Sequence, residues 1–449
     1  EPIVAVLLLG VVTDYAVFFL AGARNRLLAG TGRHEAAERT TAQFVPIVFT
    51  AGWLVAFGLA TLRAGSIGFV QALGPSLALV VLVSMAVTIS FVPAAIAVFG
   101  RALFWPGLRE RPERVPRALV ARRFVALPVA VLLAAALLYG ATDLRDLRLG
   151  VEPIAALPSD AGAARGARDA SLGFAPGIVA PTEVAVREPL HLGRVEGVAA
   201  IVGADDAPEI PEVQRLFRRD GWHRYLAVLE HDPYGARGAD DLRRLRAALP
   251  DGALVAGDTA IAAGTVDRIR GDVVRVAIAA LLVNLVLLAA FLRALVAPLL
   301  LIAASAAGLA ATFGLTTLVF QGLLGYGQLT YYVPLAVGVL LLSFGSDYNL
   351  FVVGRIWQEA RHLPVADAIR VATPRASRAI SVAGIALALS FAALAIVPLR
   401  PFREFAFATA VGVLIDTFVV RSYLIPALIS LCGRLAWWPS RPQATSTRA

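Results

Sequence analysis

Two acidic–aromatic pairs, Asp14-Tyr15 and Asp347-Tyr348, lie inside long apolar runs of this sequence. An ionised Asp at the middle of a bilayer costs about 2.5–3.5 kcal/mol even on a lenient insertion scale. A carboxyl placed there must be protonated, hydrogen-bonded or hydrated, and so can take up and release a proton during a cycle. The phenol beside each Asp adds a donor for a carboxylate on a facing helix. Sequence neighbours point about 100° apart on a helix. The pairs would therefore cross, Asp14 with Tyr348 and Asp347 with Tyr15. The chemistry offered is a proton relay through Asp14, Tyr15, Asp347 and Tyr348. The plainer use of the same residues is polar glue between helices, although Asn would serve as well there.

Away from the span ends, the other ionisable groups in apolar runs are Asp416 and Arg421. Three carboxylates then share one guanidinium, so at least two have no basic neighbour to neutralise them. Asp416 and Arg421 are five residues apart, about 140° around an α-helix, and are not expected to face each other. They read as relay support or as structural partners of neighbouring helices. Thr50 and Ser381, on the spans that follow each Asp-Tyr pair, are further candidates for support, with ordinary helix packing as the alternative.

The elements that must carry these residues are nine apolar runs, near 2–22, 43–62, 75–99, 125–141, 273–292, 295–319, 331–354, 380–398 and 404–432. Each is long enough, or nearly so, to cross a bilayer as a helix. Arginine is concentrated in the links 23–42, 101–124 and 355–379, which the positive-inside rule places in the cytoplasm. Residues 142–272 then lie outside. Within them, Thr182–Arg187 and Tyr225–Glu230 read as strands. Asp240–Leu249 reads as a helix with Leu242, Leu245 and Leu249 on one face. Val255–Ala260 reads as a turn into a helix that continues into the next span. The links 23–42 and 355–379 read as amphipathic surface helices, and Trp105, Trp437 and Trp438 as interfacial anchors.

A shift of 333 residues carries Asp14-Tyr15 onto Asp347-Tyr348, Pro93-Ala94 onto Pro426-Ala427, Gly100-Arg101 onto Gly433-Arg434 and Trp105-Pro106 onto Trp438-Pro439. One slip, Gly52 to Gly384 at 332, interrupts the register. The halves are thus parallel repeats, an arrangement that builds a pathway at their interface. By this symmetry the first half lacks roughly 200 residues, equivalent to three spans and another outer domain. The chain opens at Glu1-Pro2 without Met, which fits a cut within a longer protein.

Composition sets the remaining bounds. The 449 residues are 58% hydrophobic and 16% charged, with a mean hydropathy of +0.73, a membrane-protein balance. The net charge of +9 comes from arginines in the links, so nucleic-acid binding is not expected. One cysteine, Cys432, permits no internal disulfide, and no zinc-like spacing occurs. No phosphate-binding loop is present, and there is no lysine to complete one. Neither cofactor nor metal is expected, and no Ser-His-Asp arrangement supports an enzyme; the coupling ion would be the proton.

The segments GVVTDYAVFFL (10–20) and SFGSDYNLFVVGR (343–355) resemble the paired Asp-Tyr spans of the MMPL branch of the RND superfamily. The tails 93–106 and 416–439 resemble the ends of that family's sixth and twelfth spans, and LVAGDTAIAAG (254–264) its Gly-Gly-x-Thr-Ala turn. Gly22, where the second half has Arg355, and Ala256, in place of the turn's first Gly, depart from the pattern.

The resemblance implies a polytopic α-helical membrane protein, an RND-like pseudo-twofold helix bundle with an α+β extracytoplasmic porter domain. It divides the chain into 1–106, the last three spans of a first repeat; 107–124, a basic linker; and 125–141, the first span of the second repeat. Then follow 142–272, the porter domain; 273–439, five further spans; and 440–449, a disordered tail. The implied activity is proton-driven export of lipids or other hydrophobic compounds across a bacterial cytoplasmic membrane, by a secondary transporter with possible homo-oligomer or accessory partners. The rival readings are a lipid- or sterol-sensing receptor of the same superfamily and a proton-driven accessory of protein translocation.

Overall fold

The computed structural model describes residues 2–105, 122–151, 153–154, 156–158 and 160–440, without the side chains of 2–3, 123, 346–351 and 374–378. Most of the expected linker 107–124, and the tail beyond Ser440, lie outside the described residues.

Three helices open the chain, α1 (Pro2–Leu28), α2 (Arg33–Ala60) and α3 (Gly68–Phe99). The expected surface helix over 23–42 is absent: both spans run on through it. Ala, Glu and Arg favour helix there, and only a four-residue turn intervenes. Gly30 ends α1 at φ 87°, a left-handed conformation that suits glycine. Its N–H donates to Leu27 O and that of Thr31 to Arg26 O, a Schellman closure. After α4 (Arg123–Gly140) the chain leaves the bundle.

The α+β domain starts with β1 (Leu149–Gly150), α5 (Gly162–Ser171), β2 (Thr182–Val186), β3 (Val198–Val202), α6 (Pro211–Phe217) and β4 (Arg218–Arg219). It continues with β5 (Trp222–Leu229), α7 (Ala236–Ala248) and β6 (Leu254–Ala256). The sheet runs β3-β5-β2-β6, with β4 also on β5, and its pairings are antiparallel. Val184, Val186, Ala227 and Leu229 from one sheet face meet Leu242 and Leu245 of α7, the face expected from the sequence. Gly257, at φ 105°, turns the chain from β6 into the next helix.

That helix, α8 (Asp258–Leu292), is 35 residues long, roughly 50 Å. It rises from the domain and enters the bundle without a break, as anticipated. At its first turn Asp258 accepts a hydrogen bond from Tyr234 Oη at 2.7 Å. Lower down, buried Asp272 accepts from the N–H and hydroxyl of Ser66, at 2.8 and 3.0 Å, and from Arg275 at 2.6 Å. The α2–α3 turn of the first half is thereby fastened to α8.

Next come α9 (Val296–Thr317), β7 (Leu329–Thr330), α10 (Val333–Glu359), α11 (Val365–Ala392), α12 (Arg400–Ile415) and α13 (Ile425–Cys432). Between α12 and α13 lies a π-helical stretch, Asp416–Leu424. As at 23–42, no separate surface helix forms over 355–379, because α10 and α11 extend through it. Among the described residues, eight helices are long and apolar enough to cross a membrane. The described apolar part of α10, Val333–Gly345, adds to that bundle. The strand β1 pairs in parallel with β7, clipping the α+β domain to the bundle.

The repeat is visible in the packing. A Cβ on Gly10 of α1 would come within 2.8 Å of Leu387 and 3.9 Å of Ser390 on α11. Across the same interface, a Cβ on Gly58 of α2 would collide with Ser343 of α10. These contacts exchange under the repeat: Gly10 corresponds to Ser343, and Gly58 to Ser390. Each Asp-Tyr helix thus lies against the following span of the other half. Gly100 and Gly433 likewise end corresponding helices at φ 51° and 55°. Trp437 departs from expectation. Its turn folds back into the bundle and the indole is buried, whereas Trp105 and Trp438 are exposed.

Candidate functional site

Asp14 sits midway along α1, a helix whose only described charges besides it are Arg24 and Arg26 near its end. Its exposure is 2%, and that of Tyr15 is 1%. Both face the helices against which α1 packs, α2, α3 and α11. Neither meets lipid. Phe18 and Phe19 are buried one turn further on, and Gly10, one turn before, lets α11 approach. An apolar helix whose polar residues turn inward buries them where protein, rather than hydrocarbon, can satisfy them.

Asp347 and Tyr348 fall on α10, the symmetry-related helix, and their side chains lie outside the described residues. The flanking Phe344, Val352 and Val353 are buried. The expected cross-pairing of the two motifs falls partly on these side chains, and so lies outside the described residues.

Asp416 and Arg421 face each other, contrary to the expectation from α-helical spacing. They form an ion pair, although an α-helix would hold them apart. The cause is local geometry. The stretch that carries them is π-helical, and its i→i+5 bonding brings residues five apart onto one side. Ser422 Oγ follows the same register, donating to Thr417 O at 2.7 Å. Arg421 is 2% and Asp416 19% exposed at the side chain. Leaving either charge alone in this setting costs more than distorting a helix. Arg421 Nη2 also donates to Phe344 O at 3.1 Å, one turn from Asp347 on α10. A Cβ on Gly345 would lie 3.9 Å from the same guanidinium. The corresponding first-half residues are Val83 and Thr88, on the regular helix α3. The repeat departs from symmetry where this charge pair sits.

Thr50 does not reach the Asp-Tyr helix. Its hydroxyl donates to Pro46 O of its own helix at 2.8 Å. Unlike a cap or bridge, this bond only covers a carbonyl one turn back. Ser381 is half-buried on α11, the helix that packs against α1.

Two polar clusters escaped the sequence reading. Asp272 is one. The other is Glu404, fully buried near the start of α12, which accepts from Thr330 N–H at 2.8 Å and Arg400 Nε at 2.9 Å. Arg400 also donates to Gln328 O and stacks 4.0 Å over the ring of Tyr326. Their i,i+4 spacing was the available clue. In the α+β domain, the bond to Asp258 together with burial pushes the Tyr234 phenol up to about 12.

The profile of the MMPL family matches residues 2–131 and 220–449 of this chain. A membrane protein of Streptomyces coelicolor is 31% identical, covering 98% of this chain and 54% of its own length. The apo-petrobactin exporter of Bacillus anthracis is 24% identical, covering 98% and 63%. Thus the chain spans about half to two thirds of the length of these two relatives. A crystal structure of SecDF in a super-membrane-facing form aligns with a TM-score of 0.57 at 17% identity, over 95% of this chain and 53% of that one. That likeness concerns the fold.

Proposed function

Since the chain belongs to the MMPL family of RND-type membrane proteins, we propose that it forms most of a proton-driven exporter of hydrophobic compounds, lipids included, in a bacterial cytoplasmic membrane. Asp14 and Tyr15, with Asp347 and Tyr348, form its relay. Asp416 and Arg421 support it, as does Ser381 from the neighbouring helix. The observation that carries this reading is Asp14, a carboxyl buried among packed spans.

The cycle follows from charge. A proton arriving on the Asp14/Asp347 pair removes the cost of a bare carboxylate and lets the two halves settle into a second packing. Loss of that proton on the other side restores the first. Arg421, paired to Asp416 and hydrogen-bonded to α10, gives that helix a fixed positive neighbour through both states. A proton falling through 100 mV supplies about 2.3 kcal/mol, which biases a two-state element roughly fifty-fold. The continuous α8 and the β1–β7 clip would carry the movement to the α+β domain. The apo-petrobactin exporter, a relative, supports export as the outcome.

The test is export by cells expressing the full-length protein, with and without a protonophore. Export should stop with the protonophore and equally in an Asp347→Asn variant that still inserts. Undiminished export in that variant would overturn the relay.

A further inference from the structure

Where the α+β domain meets the bundle, the structure forms a half-open cavity of about 740 Å³. This is the size that takes a drug-sized molecule. One wall is formed by described residues between Pro153 and Val179, on either side of α5 and within it; the other is the start of α12, with Tyr234 and Tyr326 between them. The first wall is mostly apolar, with Ile154, Leu157, Ile178 and Val179 among its residues and Asp160, Arg168 and Ser171 as its polar members. Alanines 164, 167 and 170 of α5 keep it wide. The two walls are joined where Arg400 N–H donates to Ala156 O at 3.1 Å. The whole of this first wall lies in the stretch that the family profile leaves unmatched, between residues 131 and 220.

Three arginines line the cavity: Arg168, Arg400 and Arg403. They differ in availability. Arg400 is committed to Glu404, Gln328 and the Tyr326 ring. Arg168 has a partner as well. Arg403 lies in the first turn of α12; its backbone N–H donates to Leu399 O at 3.3 Å, and its guanidinium makes no hydrogen bond or ion pair among the described residues. Of the acids in the lining, Asp232 already accepts from Tyr234 N–H at 3.0 Å, and Asp160 lies on the α5 side. The cavity is therefore a greasy slot with an unengaged guanidinium at the α12 end. Guanidinium groups pair strongly with carboxylates and phosphates.

We propose that this junction cavity is a binding site for a single-chain amphiphilic anion, its tail along the 153–179 wall and its head on Arg403. The proposal deepens the export reading by naming a substrate class, and it rests on that reading only for its physiological meaning. Binding itself needs no proton. A molecule of this kind partitions to the surface of a bilayer, the level at which α12 begins, and could enter from there.

The experiment uses the full-length protein in phosphatidylcholine nanodiscs, with empty discs as control. The probe is 11-(dansylamino)undecanoic acid, compared with its methyl ester. The acid should bind at least tenfold more tightly than the ester, as expected for a charge-assisted hydrogen bond. Arg403→Ala should remove that preference and Arg403→Lys restore most of it, while Leu157→Trp, which fills the slot, should weaken both probes. Equal binding of acid and ester, or an unchanged Arg403→Ala, would overturn the anion assignment. An unaffected Leu157→Trp would overturn the cavity as the site. Displacement of the probe on changing the discs to phosphatidylglycerol would assign the site to a bilayer headgroup instead. Export by the Asp347→Asn variant reads the relay and probe binding by the Arg403 variants reads this site, so failure of the one can be told apart from failure of the other.

Discussion

At the scale of single residues, burial of charge organises the account. Asp14 is enclosed by protein, and Arg421 is held between Asp416 and a carbonyl of α10. Removing the guanidinium would strand Asp416, so Arg421→Ala should cost about 3 kcal/mol of stability or more. A double variant, Asp416→Asn with Arg421→Gln, should recover part of that loss in thermal denaturation. Full stability of the single variant would mean that the pair is hydrated and dispensable. Asp272 takes three hydrogen bonds while fully buried, and Asp272→Ala should destabilise the protein by about 2 kcal/mol, read by the same measurement. The Tyr234 phenol, raised to about 12 from 10.0, favours the folded state while it keeps its proton. Its contribution is complete below pH 10 and fades as pH climbs toward 12. A phenolate absorbance titration should show this group ionising late, and Asp258→Ala should bring it back toward 10.

At the scale of elements, helix contacts explain why the repeat was legible and other features were not. Pro93 and Pro426, Gly100 and Gly433 are conformationally demanding residues, so their common register stands out from apolar sequence. The spans themselves followed from hydropathy. Their ends did not, because Arg, Glu and Ala continue a helix as readily in water as in lipid. The π-helical stretch at 416–424 left no mark in hydrophobic period. The clue was energetic, since two opposite charges in one span seldom remain unpaired. The strand Val198–Val202 was missed because VAAIV is too short and too uniformly apolar to show alternation. Segment 153–179, rich in Pro, Ala and Gly, gave no periodic signal for the cavity wall. Close helix approach provides its own test. A side chain at Gly58 would strike Ser343, and at Gly384 would strike Thr417. Gly58→Leu and Gly384→Leu should each lower the melting temperature and export, with membrane insertion retained.

At the scale of the molecule, two halves meet through exchanged contacts, and one α+β domain is attached by α8, β1–β7 and the Glu404–Arg400 cluster. Those attachments make the domain follow the bundle. They also put the junction cavity between parts that would move relative to each other. Coupled export requires that proton movement and substrate movement be the same event. The most direct measurement is substrate-driven proton flux into proteoliposomes containing the full-length protein, compared with Asp14→Asn at equal insertion. A relay through Asp14 predicts a flux that appears with substrate in the unaltered protein and vanishes in Asp14→Asn. The same flux in both proteins would contradict it.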